Sequence, residues 1–151
     1  MSKTFLDMAI EREIEAHDFY MDLYNKVSDA TAKDALKWIA DEETKHKEFL
    51  MNYRDGKTGE GTLKMSEVQE QKIAEHVAEP EVKPNMDTKD VYLIAAHREL
   101  ESYNFYNEFA MMHTEGDLRD TILKIANEEL KHKEKVEYLY ANTAFPQTQG
   151  G

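Results

Sequence analysis

Six side chains in this chain have the types and spacing to hold metal ions: Glu13, Glu43 and His46, and then Glu99, Glu129 and His132. The second three repeat the first, displaced by 86 residues with no insertion or deletion. Tyr20 and Tyr106 repeat at the same displacement, as do Arg12/Arg98, Phe19/Phe105, Ile39/Ile125 and Ala40/Ala126. The run Glu42-Glu43-x-Lys45-His46-Lys47-Glu48 matches Glu128-Glu129-x-Lys131-His132-Lys133-Glu134. Residues three apart share one face of a helix, so Glu-x-x-His lets one backbone offer an oxygen and a nitrogen to a common centre. Acidic helices produce a single Glu-x-x-His by accident; two copies, each preceded by a helix with its own Glu, point to metal.

Helical periodicity places these groups. Leu6, Ala9, Glu13, Ala16, Tyr20, Leu23 and Val27 recur in steps of three and four, the pattern of one inward-facing stripe. Ala32, Leu36, Ile39, Glu43, His46, Leu50 and Tyr53 form a second stripe, and Tyr92, Ala95, Glu99, Ser102, Tyr106, Phe109 and His113 a third. The fourth is Leu118, Ile122, Ile125, Glu129, His132, Val136 and Leu139. Four helices are predicted at about 3–27, 30–54, 87–113 and 116–141, each roughly 35 Å long. Ser28-Asp29 and Thr114-Glu115-Gly116-Asp117 carry capping chemistry, so each helix pair should be antiparallel. Between the pairs lies a crossover over about 55–86, with a short amphipathic helix expected from Ser66 to Ala78. A flexible tail is expected at 142–151. The fold class is therefore all-α: a single internally duplicated domain over 1–151, built as an antiparallel four-helix bundle.

In such a bundle the stripes converge, and Glu13, Glu43, Glu99 and Glu129 should meet in the interior. Four bare carboxylates there would cost several kcal/mol each and repel one another. No Lys or Arg lies on the stripes. Two divalent ions would balance four carboxylates and leave neutral imidazoles to complete the coordination, and mixed carboxylate and imidazole donors suit iron or manganese, with zinc an alternative.

Composition narrows the rest. The net charge of −12 argues against nucleic acid, which needs a basic surface. With no cysteine, the chain can form neither disulfides nor thiolate metal sites, so electrons for any redox cycle must come from another molecule. The first residues meet charges every few positions, and no stretch has the apolar length of a membrane span. Cytoplasm is the expected location, with no membrane partner.

Two Glu plus two Glu-x-x-His on four helices resembles the ferritin-like di-iron carboxylate proteins, and over about residues 3–141 the chain is most similar to the rubrerythrin di-iron domain. That resemblance implies two iron ions held by Glu13, Glu43, His46, Glu99, Glu129 and His132, with Glu43 and Glu129 bridging. It implies that Tyr20 and Tyr106 hydrogen-bond to ligand carboxylates. Rubrerythrins also carry a rubredoxin domain, and their peroxidases a seventh carboxylate one turn after the third-helix Glu. This sequence has no rubredoxin-type cysteines, and Ser102 occupies the position of the seventh ligand, with Ala16 as its counterpart. Those small residues leave room for an oxidant or serve helix packing. By symmetry Glu42 is placed to accept from His132 and Glu128 from His46, unless both are solvated helix-edge acids. His17, His76, His97 and His113 are expected in structural or surface roles, and Trp38 and the methionines in packing.

The implied function is oxidation of Fe(II) by hydrogen peroxide or dioxygen at a dinuclear centre, in the service of peroxide detoxification, with an external donor such as a rubredoxin-like protein as reductant and a homodimer as the assembly. Two alternatives stand beside it: iron storage, in which oxidised iron moves on to a mineral, and a helical module whose metal is structural.

Overall fold

The computed structural model describes residues 4–57, 63 and 65–145. Four long helices and no strand occur among them: α1 (Phe5–Lys26), α2 (Ala30–Arg54), α3 (Thr88–His113) and α4 (Gly116–Ala144). This is the helix complement of a four-helix bundle, and the all-α expectation holds. The chain divides into two compact units, Met1–Thr62 and Leu63–Gly151, each built round one helical hairpin.

In the first unit, Thr4 caps α1 by accepting from the Asp7 amide, and Asp29 caps α2 by accepting from the Ala32 amide. Each bond satisfies an amide that the first helical turn leaves without an intrahelical partner. The two-residue link after Val27 makes the helices antiparallel, and two cations fasten the ends of the hairpin. Lys33 donates from Nζ to the Tyr24 carbonyl (2.5 Å) and sits 4.2 Å from the centre of the Tyr24 ring, where a cation also opposes the negative end of α1. At the far end Arg54 reaches Asp7 at 3.1 Å. Thr4 and Arg54 together hold the Asp7 carboxyl below its ordinary range, the Thr4 hydroxyl being the larger influence.

The predicted stripes are the buried ones. Ala9, Glu13, Tyr20, Leu23 and Val27 are buried in the first segment, and Ala32, Leu36, Ile39, Glu43, His46 and Leu50 in the second. Each buried Leu or Ile contributes about 1.5–3 kcal/mol. The packing expected of Trp38 and of several methionines does not occur: Trp38 is 39% exposed, and Met8, Met65, Met111 and Met112 more so.

The second unit ends α3 differently from the expectation. Glu115 stands at the N-cap of α4 but makes no side-chain cap bond. Thr114 turns back instead, donating from its hydroxyl to the Ala110 carbonyl at 2.6 Å, and Arg119 donates to the carbonyls of Ala110 and Met111. The carbonyl end of α3 is thereby satisfied, and Gly116 turns the chain with φ +63, a left-handed conformation that glycine adopts without steric cost. Val91 to Ala96 are buried on every side of α3, so this helix shows less of a one-sided pattern than the others.

The expected helix at Ser66–Ala78 is absent. Residues 65–73 form no regular secondary structure, Lys72 standing at φ 55, and the one turn that follows is closed by bonds from the amides of His76 and Val77 to the Ile73 carbonyl. The sequence has helical periodicity there, but α4 supplies competing acceptors. Asn127 brackets Ser66, accepting from its amide at 2.8 Å and donating to its carbonyl at 3.0 Å. Glu134 accepts from the Gln69 amide, and Glu137 from the Ala74 amide at 2.8 Å. His97 of α3 contacts the Val77 carbonyl at 2.6 Å, which gives that histidine its structural role. Backbone groups that a helix would bond internally are here bonded to side chains of its neighbours.

Candidate metal centre

Each hairpin brings its own three ligand candidates together. In the first unit Glu13 projects from α1, and Glu43 and His46 from successive turns of α2. His46 Nδ1 lies 3.7 Å from Glu13 Oε1 and 3.5 Å from Glu43 Oε1. In the second unit Glu99 comes from α3, and Glu129 and His132 from α4. His132 Nδ1 lies 3.5 Å from Glu99 Oε2 and 3.7 Å from Glu129 Oε1. All six side chains are at most 2% exposed. The 86-residue sequence repeat is therefore also a repeat of geometry.

These separations exceed a good hydrogen bond and suit two ligands of one ion. Donor atoms about 2.1 Å from a common metal, at ordinary coordination angles, stand roughly 3.0–3.6 Å apart. Within each unit the two carboxylates and the imidazole offer ligand atoms no more than 4.8 Å from one another. Two carboxylates and one neutral imidazole balance the charge of one divalent cation, so the donor set of each half fits such an ion in chemistry and spacing.

Over residues 4–140 the chain matches the Rubrerythrin family. The chain belongs to the rubrerythrin family. The match covers the ferritin-like di-iron domain, the segment that carries all six residues. No curated protein and no solved structure matches. Within the rubrerythrin family the buried Glu and His residues read as a metal site of the di-iron type, and di-iron oxidoreductase chemistry is the family's general activity.

The remaining candidates fall round this framework. Tyr20 and Tyr106 are each 1% exposed and occupy equivalent places, with Phe19 and Phe105 edge-on at 5.9 and 5.2 Å between ring centres. Ala16 and Ser102 are both half-buried, one turn after Glu13 and Glu99. Glu42 forms an ion pair with Lys45 on its own helix at 2.9 Å, as a helix-edge acid does, and Glu128 is half-buried. His17 contacts Asp18 at the surface (3.0 Å), and His76 is exposed. The side chain of His113 lies outside the described residues.

Sequence reasoning missed one group beside the site. Lys133, next to His132 in sequence, is fully buried. Its ammonium is 2.9 Å from Glu75, 3.2 Å from Glu70 and 3.2 Å from Glu137, the last of these also fully buried. Burial pulls the ammonium toward deprotonation, but Glu75, Glu137 and Glu70 outweigh that and raise it above the ordinary lysine range. The available signal was the Lys133/Glu137 pair four residues apart, one position off the buried stripe, a place where a charge needs a partner.

No helix among the described residues is long and apolar enough to cross a membrane.

Proposed function

We propose that the two half-sites together hold two iron ions and that the protein oxidises Fe(II) with hydrogen peroxide or dioxygen, in peroxide detoxification of the rubrerythrin type. The observation that carries this reading is the duplicated, water-excluded set of two carboxylates and one imidazole in each hairpin, in a chain of the rubrerythrin family.

A bound pair of ferrous ions would supply the redox chemistry, one electron from each to a small oxidant. Glu13, Glu43, Glu99 and Glu129 would hold the ions through carboxylate oxygens, and His46 and His132 would complete the set as neutral donors through Nδ1. The buried carboxylates would cancel the charge of the cations, while the apolar residues of the same helices exclude water. Tyr20 and Tyr106 donate hydrogen bonds to ligand carboxylates and hold them in register. The small side chains of Ala16 and Ser102 leave space for the oxidant. An external protein of the rubredoxin kind returns the electrons, since no cysteine is present to house an electron-transfer centre. Manganese or zinc would fill the same donor set without the same redox cycle.

Anaerobic loading with Fe(II), followed by separate challenge with hydrogen peroxide and dioxygen, tests this reading through the rise of ferric absorbance. Rapid oxidation that is lost in Glu43→Ala supports it. An unchanged rate in that variant would remove the centre from the reaction, and tight metal binding without oxidation would leave a structural metal.

A further inference from the structure

The crossover is fastened to α4 by a set of bonds that converges on Lys133. Glu70 and Glu75 of the crossover and Glu137 of α4 surround its ammonium. Glu137 also accepts from the Ala74 amide, and Glu134 from the Gln69 amide. Lys133 follows His132 directly, so whatever fixes the angular position of one on α4 fixes the other. An imidazole nitrogen lies roughly 6 Å from the helix axis, so a 10° rotation of α4 would carry it about 1 Å. Metal ligand distances tolerate only about 0.2 Å.

The first repeat lacks two of these anchors. Its residues equivalent to Lys133 and Glu134 are Lys47 and Glu48, but Met51 stands where Glu137 would be and Asp41 where Asn127 would be. A methionine at that place neither holds an ammonium nor accepts an amide as a carboxylate does, and Lys47 is only half-buried. The ligand sets of the two halves are alike; their supports differ.

We infer that the crossover is a clamp that positions His132 through Lys133, and that it acts on the second half of the duplicated site alone. Glu70 and Glu75 are thus positioning residues for the half-site whose imidazole is His132. Their charges hold Lys133, Lys133 holds the angle of α4, and α4 aims His132. The inference rests on the dinuclear reading for its metal consequence, but its structural part concerns the metal-free chain.

The test is the double variant E70Q/E75Q of the full chain. Glu70 and Glu75 retain about a quarter of their side-chain exposure, so the change does not strand a buried charge on the crossover. Amide hydrogen exchange over residues 65–78 should quicken. In the metal-free protein the imidazole resonances of His132 should shift or broaden while those of His46 stay in place. Titration with Zn(II) alone should show the two sites weakened unequally, the one that binds His132 by on the order of 10-fold, as loss of supporting contacts of metal ligands commonly does. Equal weakening at both sites would overturn the inference, as would an unmoved His132 beneath a loosened crossover, or a crossover that remains protected. Uptake of fewer than two Zn(II) by the unaltered chain would end the dinuclear reading instead, and the His132 and His46 resonances would still decide the clamp.

Discussion

Replacing Lys133 with methionine keeps most of the side chain's volume and removes its charge, which isolates what the ammonium does. Glu137 has no exposed surface and loses the buried cation it pairs with, whereas Glu70 and Glu75 are about a quarter exposed and recover water. Breaking a buried pair from one side costs about 3–5 kcal/mol, while exposed pairs contribute about 0–1 kcal/mol. With two of the three carboxylates near solvent, the lower end is expected, about 3 kcal/mol for K133M. Removing the stranded carboxylate as well, in K133M/E137M, should restore part of that loss, because apolar residues of similar size often replace a buried ion pair without penalty. The recovery is incomplete because the Ala74 amide loses its acceptor, at about 1–3 kcal/mol. Urea unfolding of the metal-free chain, read by circular dichroism, measures K133M, E137M and the double variant. A cost below about 1 kcal/mol for K133M, or a double variant less stable than the sum of the two single changes, would refute the reasoning.

Other outcomes follow from the same structure. Glu129→Gln should stabilise the metal-free protein by about 1 kcal/mol or more in urea, because a buried charge becomes neutral, yet should abolish binding of at least one metal. Asp29→Ala removes the cap of α2 and should cost about 1 kcal/mol in the same assay. The Asp7 carboxyl titrates below its ordinary 3.8 when folded, so its contribution is complete at neutral pH and is lost as pH falls through that lowered value. A carbon-detected titration of Asp7 should therefore show a midpoint below 3.8 that returns toward it in Thr4→Ala.

The buried stripes and the ligand candidates were legible because helical spacing and an 86-residue repeat both reach the sequence directly. Glu13, Glu43, Glu99 and Glu129 stood out as acids in apolar stripes, and each is buried. The crossover was not legible in the same way. Ser66 to Ala78 has the composition of an amphipathic helix, but its fate is decided by acceptors on a segment about 60 residues away, at Asn127, Glu134 and Glu137. Lys133 was hidden for the same reason, since its three carboxylate partners include two on the crossover. Local pattern fixes local structure until a distant side chain offers the backbone a better bond.

Crystals grown anaerobically with Fe(II) and measured at the iron absorption edge would test the central claim most directly. The account predicts two anomalous peaks per chain, one within coordination distance of His46 Nδ1 and one of His132 Nδ1, with the four carboxylates completing both. A single peak, or iron bound only at surface acids while the six buried residues hold none, would contradict it.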